Sequence, residues 1–206
     1  MSISTYTELQ TAVADWLARS NLTARIPDFI QMGEVDLNNR LRLREMITTV
    51  NITPSQVDTY VSLPTGFLEL ISFADDTGDT LQEVGYDQIE DYKYGAGSGR
   101  PELFAIGARI DFPRTASSAL SFPMRYYKRL DLATDETNDV MTNYPNLYLY
   151  SALIHSEPFI MNDQRVATWK ALYEGAVKEA NHRSIRNRRK LRMDFGGGSF
   201  DIISGR

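Results

Sequence analysis

Asp76-Thr77-Gly78 is the tripeptide in which aspartic proteases hold a catalytic aspartate, and here it follows an apolar run at 67–73 that reads as a strand. The chemistry would be activation of water by two carboxylates sharing one proton, which needs a second copy of the motif or a symmetric dimer. The turn continues as Asp79-Thr80, and further carboxylates beside such a dyad oppose it. Asp-Asp-Thr-Gly-Asp is also an ordinary hairpin tip, and it is read as one. Gly95-Ala96-Gly97-Ser98-Gly99 invites a nucleotide-binding reading. A phosphate cradle needs a strand before it and a helix N-terminus after it, yet Arg100-Pro101 leads into another strand and no Gly-Lys-Ser/Thr occurs. The stretch is read as a linker. His155 and His182 are all the imidazole there is, and neither lies in a metal-ligand spacing, so both are assigned structural or solvated roles. There is no cysteine, which excludes disulfides, thiolate metal sites and cysteine nucleophiles. No cofactor, no metal and no enzymatic activity are expected.

The charge distribution carries more. The net charge of -5 divides into an acidic body, 14 basic and 24 acidic residues over 1–177, and a basic end, eight basic and three acidic over 178–206. Arg183, Arg186, Arg188, Arg189, Lys190 and Arg192 crowd one segment. Three readings are open. The cations can release counterions from a nucleic-acid backbone. They can be a solvated helix end favoured by the helix dipole. They can dock on an acidic protein surface, where arginine's planar fork matches carboxylates. The acidic body opposes tightly held DNA, though it suits a surface past which DNA slides. Phe195, Phe200, Ile202 and Ile203 lie around a triple glycine, Gly196-Gly197-Gly198, that is expected to end the helix. Apolar anchors next to orienting arginines favour protein docking.

The elements that must carry this segment follow from periodicity. Tyr6, Leu9, Val13, Trp16 and Leu17 fall at helical spacing behind a Thr5/Glu8 capping box, giving a helix that ends near Ser20-Asn21. A second helix starts within 23–27 and runs to about Leu43, with Ile26, Phe29, Ile30, Gly33, Leu37 and Leu41 on its apolar stripe and Asp28, Glu34, Asn38 and Arg42 off it. Short β-rich runs follow at 47–52, 59–63, 67–73, 103–106, 109–112 and 120–127, with a hairpin at Gly107-Ala108 and a short helix at 86–94. Pro113 and Pro123 suggest edge positions. Beyond the polar segment 131–143 a helix carries Leu147, Tyr150, Ser151 and Ile154 and ends or kinks near Ser156-Glu157, ahead of Pro158. Asn162-Asp163 caps the last helix, 164–192, about 43 Å long at 1.5 Å per residue. Its stripe of Val166, Trp169, Tyr173, Ala176 and Ala180 stops early, so its final third is expected to project.

The chain is therefore expected to be an α+β protein in one domain: a bundle of N- and C-terminal helices (1–45 and 143–192), an inserted small antiparallel β lobe (46–142) and an extended C-terminal docking arm (193–206). Met1-Ser2-Ile3-Ser4-Thr5 has neither a positive flank nor an apolar run, and no stretch is apolar enough to span a membrane. A soluble protein with no membrane partner is expected.

Several segments, in order and spacing, resemble the head-to-tail adaptor proteins of tailed bacteriophages, also called portal adaptor or head completion proteins. They are Tyr6-Thr7-Glu8-Leu9, Ala14-Asp15-Trp16-Leu17, Arg25-Ile26-Pro27-Asp28-Phe29-Ile30, Leu41-Arg42-Leu43-Arg44-Glu45-Met46, Leu63-Pro64-Thr65-Gly66-Phe67-Leu68-Glu69-Leu70, Gly99-Arg100-Pro101, Tyr126-Tyr127, Asn146-Leu147-Tyr148-Leu149-Tyr150 and Trp169-Lys170-Ala171-Leu172-Tyr173. The resemblance implies a non-enzymatic subunit, generally in a ring of twelve copies beneath the portal protein. Such a ring extends the DNA channel, helps retain the genome and offers a platform to tail or nozzle proteins. It implies a place at the head–tail junction of the virion, and the host cytoplasm during assembly, with genomic DNA passing through without sequence-specific binding. On this view Arg183, Arg186 and Arg189 orient the arm on the portal, and Phe195, Phe200, Ile202 and Ile203 anchor it. The alternative is a DNA-binding protein that uses the basic C-terminal helix.

Overall fold

A computed structural model describes residues 3–74, 80–93, 97–160 and 163–200, with 187–200 as backbone alone. The fold is α+β. Its contacts divide the chain into a helical unit, Met1–Met46 with Leu130–Arg206, and a β unit, Ile47–Arg129. Segment 130–142, read from sequence as part of the lobe, groups with the helices instead.

The helical unit begins with α1, Tyr6–Leu17, where the Thr5 hydroxyl accepts from the Glu8 amide and the Glu8 carboxylate accepts from the Thr5 amide. It ends earlier than the periodicity suggested, at Ala18 in the left-handed region (φ 52°). The last turn of α1 holds no basic residue, so its closing carbonyls are served from elsewhere: Arg165 Nη1 donates to Trp16 O (3.0 Å) and Nη2 to Leu17 O (3.4 Å). Asp163 grips the same guanidinium through Nε at 3.0 Å and Nη2 at 2.6 Å, and those bonds hold its carboxylate down to about 2. Arg165→Ala should cost about 1–2 kcal/mol, two helix-end hydrogen bonds at ordinary net worth. Lysine should recover less than half, because it has no planar fork. A urea midpoint that falls at constant slope would register the loss.

After a 3-10 turn at Ser20–Arg25, α2 runs Ile26–Arg40 with Pro27 in its first turn. It stops short of Leu43 because Leu41 is extended (φ −110°, ψ 137°), and Arg42 Nη1 donates to the Asn38 and Leu41 carbonyls at 2.6 Å each. The predicted stripe is buried: Ile26, Phe29, Ile30, Gly33, Leu37 and Leu41. Glu34 and Asn38 are buried with it, which corrects their placement off the stripe. The returning chain covers that flank of α2. Asn38 Oδ1 accepts from Leu130 N (2.8 Å), its Nδ2 donates to Leu130 O (3.0 Å), and Glu34 Oε1 accepts from Leu132 N (2.7 Å).

Two short helices occupy the polar segment that was read without structure: α4, Leu132–Asp135, and α5, Asp139–Asn143. Asp131 and Asn138 cap them by accepting from the Thr134 and Met141 amides. The central helix is α6, Pro145–His155, followed after Ser156 by α7, Glu157–Ile160, the break that Pro158 led us to expect. α6 packs on α1, α2 and α8, Arg165–Phe200. A Cβ on Gly33 would lie 2.5 Å from Ser151 Oγ and 3.3 Å from the Ala152 amide nitrogen, so α2 and α6 meet there at backbone distance.

The β unit holds β1 (Ile47–Ile52), β2 (Tyr60–Ser62), β3 (Phe67–Phe73), β4 (Gln82–Glu83), α3 (Tyr86–Lys93), β5 (Leu103–Ile106), β6 (Arg109–Asp111) and β7 (Phe122–Lys128). Three strands pair in the order β1-β7-β3 and four in the order β2-β6-β5-β4. The lobe is not wholly antiparallel: β4 and β5 run parallel, Gln82 opposite Leu103, because the connection between them crosses over through α3. Phe73 is the hub of the core, its ring 5.0 Å from Phe104, 6.2 Å from Phe122 and 6.3 Å from Phe112. Pro123 sits in the central strand β7, not at an edge. Its carbonyl accepts from Ala74 N, just past the last β3 pairing at Phe73 and Met124. Its ring nitrogen faces that same side, so the missing donor is taken from a ladder that has already ended.

Candidate docking surface on the C-terminal helix

The inward face of α8 fixes the helix to the bundle. Val166, Trp169, Tyr173, Val177 and Ala180 are buried, and Ser184 extends the stripe one turn beyond its expected end. Val177 takes the place that the sequence reading gave to Ala176, which is half-buried. Tyr173 donates to the Asp36 carboxylate, and burial followed by that carboxylate pushes its phenol well up. Arg40 forks onto Glu174 through Nη1 (2.8 Å) and Nη2 (2.5 Å), and Asn181 Nδ2 donates to the Arg40 carbonyl (3.3 Å).

The outward face is a different surface. Gly175, Lys178, Glu179, His182, Arg183 and Arg186, at helical spacing, line an open hollow of about 330 Å³. Four of the six carry basic side chains and one is acidic. Gly175 adds no side chain, and nothing lies within 4 Å of where its Cβ would be. The Arg183 guanidinium carbon is 5.7 Å from the centre of the Tyr144 ring, a cation–π contact that limits its swing.

Of the residues named from sequence, Arg183 and Arg186 are thus exposed together. Arg189, Phe195 and Phe200 lie on the α8 backbone, with side chains outside the described residues, and Ile202 and Ile203 lie outside them altogether. The triple glycine does not end the helix: α8 continues through Gly196-Gly197-Gly198 to Phe200. Glycine weakens a helix by about 1 kcal/mol relative to alanine but, unlike proline, removes no donor and adds no clash.

Asp76-Thr77-Gly78 lies outside the described residues, and the flanking Ala74 and Thr80 form an antiparallel bridge. Gly99 bridges to Ala116, and the chain passes from Pro101 into β5, without a helix N-terminus to hold a phosphate. His155 closes α6 and His182 lines the hollow. No His/Asp/Glu group among the described residues has the arrangement to hold a metal ion, and no helix among them is long and apolar enough to cross a membrane.

One cluster escaped the sequence reading. On β6, Arg109 bonds the buried Asp111 through Nε (3.1 Å) and Nη2 (3.0 Å), lies 4.0 Å over the exposed Tyr60 ring, and shares Asp111 with the Tyr86 hydroxyl (3.4 Å). Its signal was the Arg-x-Asp spacing, which puts both side chains on one face of a strand.

The described surfaces are thus a braced helix presenting cations and a lobe carrying exposed aromatic and arginine side chains. The family model of SU10 adaptor proteins matches residues 4–194, and the chain belongs to that family of phage structural adaptors. No curated protein matches the chain.

Proposed function

We propose that the protein is the head-to-tail connector of a tailed phage virion, a ring of subunits, twelve in the expected arrangement, seated below the portal protein. The ring extends the channel through which genomic DNA passes and gives tail or nozzle proteins their platform. The observation that carries the reading is the division of α8: its inward face is locked to the bundle as far as Ser184, while Lys178, His182, Arg183 and Arg186 face out and the helix runs on. In this reading those cations, with Arg189, steer the helix onto carboxylates of the portal, and Phe195, Phe200, Ile202 and Ile203 supply the anchors. Many weak arms around a ring add up, because each contact made raises the effective concentration of the next.

Removal of 193–206 leaves every described residue of the buried stripe in place, so the melting temperature should hold while affinity for purified portal rings falls at least about tenfold. Undiminished portal binding by the shortened chain would overturn the docking role. The basic helix could instead serve duplex DNA. That reading predicts binding that collapses between about 50 and 200 mM salt, and no DNA binding at low salt would remove it.

A further inference from the structure

Gly33 and Gly175 both lie inside helices, and the chain's own packing accounts for the first alone. At Gly33 the α6 backbone arrives so closely that a Cβ would lie 3.3 Å from the Ala152 amide nitrogen. Gly175 has no such neighbour: nothing lies within 4 Å of where its Cβ would be, and its backbone is ordinary helix. A glycine in a helix interior weakens the helix, and here it packs nothing in return. The side chains around it are unfavourable too. Up to Glu174 every charged residue of α8 is paired within the chain: Arg165 with Asp163, Lys170 with Glu157, Glu174 with Arg40. Beyond it, Lys178, His182 and Arg186 stand exposed in one row, each four residues from the next, and none enters a hydrogen bond or ion pair among the described residues. Like charges at that spacing destabilise a helix. Both features meet in the hollow of about 330 Å³, and one kind of neighbour would relieve both.

We propose that Gly175 is the crossing point for an acidic helix of the portal protein, which lies on α8 at backbone distance and sets its carboxylates against Lys178, His182 and Arg186. This deepens the docking reading above and rests on it. Two helices come that close only over a missing side chain, as α6 does over Gly33. The occupant turns a small residue toward Gly175 and carries carboxylates one and two turns away on the same face, the spacing that matches the row of cations. The longer described helices of a second copy do not supply it. α3 has Asp87, Glu90 and Asp91 but no small residue, reading Tyr-Asp-Gln-Ile-Glu-Asp-Tyr-Lys. On α1, Glu8 is held by Ser4 and Thr5, which leaves Asp15 alone. On α2, Asp28 is paired with Arg25, Glu34 is buried and Asp36 accepts from Tyr173. α6 carries no carboxylate. A nucleic-acid backbone would use the cations but not the glycine.

Gly175→Ala and Gly175→Leu in the full chain, measured against purified portal rings, test it. Alanine should raise the melting temperature by about 2–4 °C, because its Cβ meets nothing and its helix propensity is higher. A fall would mean that the chain itself packs there and would overturn the proposal. Leucine should melt no lower than the parent, yet bind portal rings at least about tenfold more weakly, since it fills the crossing. Arg186→Glu should weaken binding too, by a margin that shrinks as salt rises. A leucine variant that binds as the parent does overturns the proposal, even where removal of 193–206 weakens binding and so upholds the docking reading. A parent chain that does not bind portal rings overturns that reading, and this one with it. Because the chain has no cysteine, Ala171→Cys, exposed one turn before Gly175, can carry a single photo-cross-linker. On portal rings it should join a portal peptide with carboxylates at helical spacing. A cross-link to a second copy, to DNA or to a peptide without carboxylates, or none at all, would overturn the proposal.

Discussion

A Gly33→Leu chain should fail to form its helical unit, and Gly33→Ala should lose about 1–2 kcal/mol. The first β-carbon already meets Ser151 Oγ at 2.5 Å, Ser151 Cβ at 3.0 Å and the Ala152 amide nitrogen at 3.3 Å. Serine's oxygen can rotate away; the other two belong to α6 itself. Overpacking costs about 1–3 kcal/mol, and alanine's better helix propensity returns about 1. Leucine's further carbons would have to enter where Ser151, Ala152 and Tyr148 are already buried, so the cost exceeds what a marginally stable unit can absorb. Circular dichroism melts of Gly33→Ala alone and with Ser151→Gly would show it, the second change restoring most of the loss. An alanine variant that melts above the parent would mean that the helices do not meet so closely.

Glu34→Gln should stabilise the protein at pH 8 and do little at pH 5. Glu34 is 6% exposed. Burial first, then the carboxylates of Asp131 and Asp135, push it up to about 7, against the Leu132 amide that donates to it. Tyr148 of α6 also faces it and stays neutral, its phenol pushed far up by burial. Below pH 4.5 the carboxyl is protonated folded or unfolded. Between 4.5 and 7 the unfolded chain releases a proton that the folded chain keeps, so stability falls as pH rises through that window. The full shift amounts to about 3 kcal/mol above pH 7. Glutamine keeps an oxygen for Leu132 N and cannot ionise, although its amide must find an acceptor, which returns about 1 kcal/mol of the gain. The difference in melting temperature between variant and parent should open between pH 5 and 8; parallel curves would refute it.

Both predictions turn on side chains that the sequence under-described, and the reason is common to them. Periodicity shows where apolar residues fall, so Ile26, Phe29, Ile30, Leu37 and Leu41 were readable as core, as were the boundaries of β1 and β3. It does not show how wide a face becomes when a distant segment covers its flank. Glu34 and Asn38 look like solvent positions until Leu132 and Leu130 arrive from 98 and 92 residues away. The helices α4 and α5 escaped for another reason: each is about a single turn, too short for a stripe, and their caps Asp131 and Asn138 were read only as part of a polar segment. The candidate docking surface was half legible. Arg183 and Arg186 stood out by composition, but their alignment with Lys178 and His182 around Gly175 depends on which face Val177 and Ser184 turn inward.

The helical unit is closed by chain that is made last. Arg40 waits for Glu174, 134 positions downstream, and Asn38 for Leu130. At about 5–20 residues per second, a ribosome needs on the order of ten seconds to deliver the partner of α2. Because α8 completes the bundle, a subunit cut short before it would lack the side chains that bond α1 and α2.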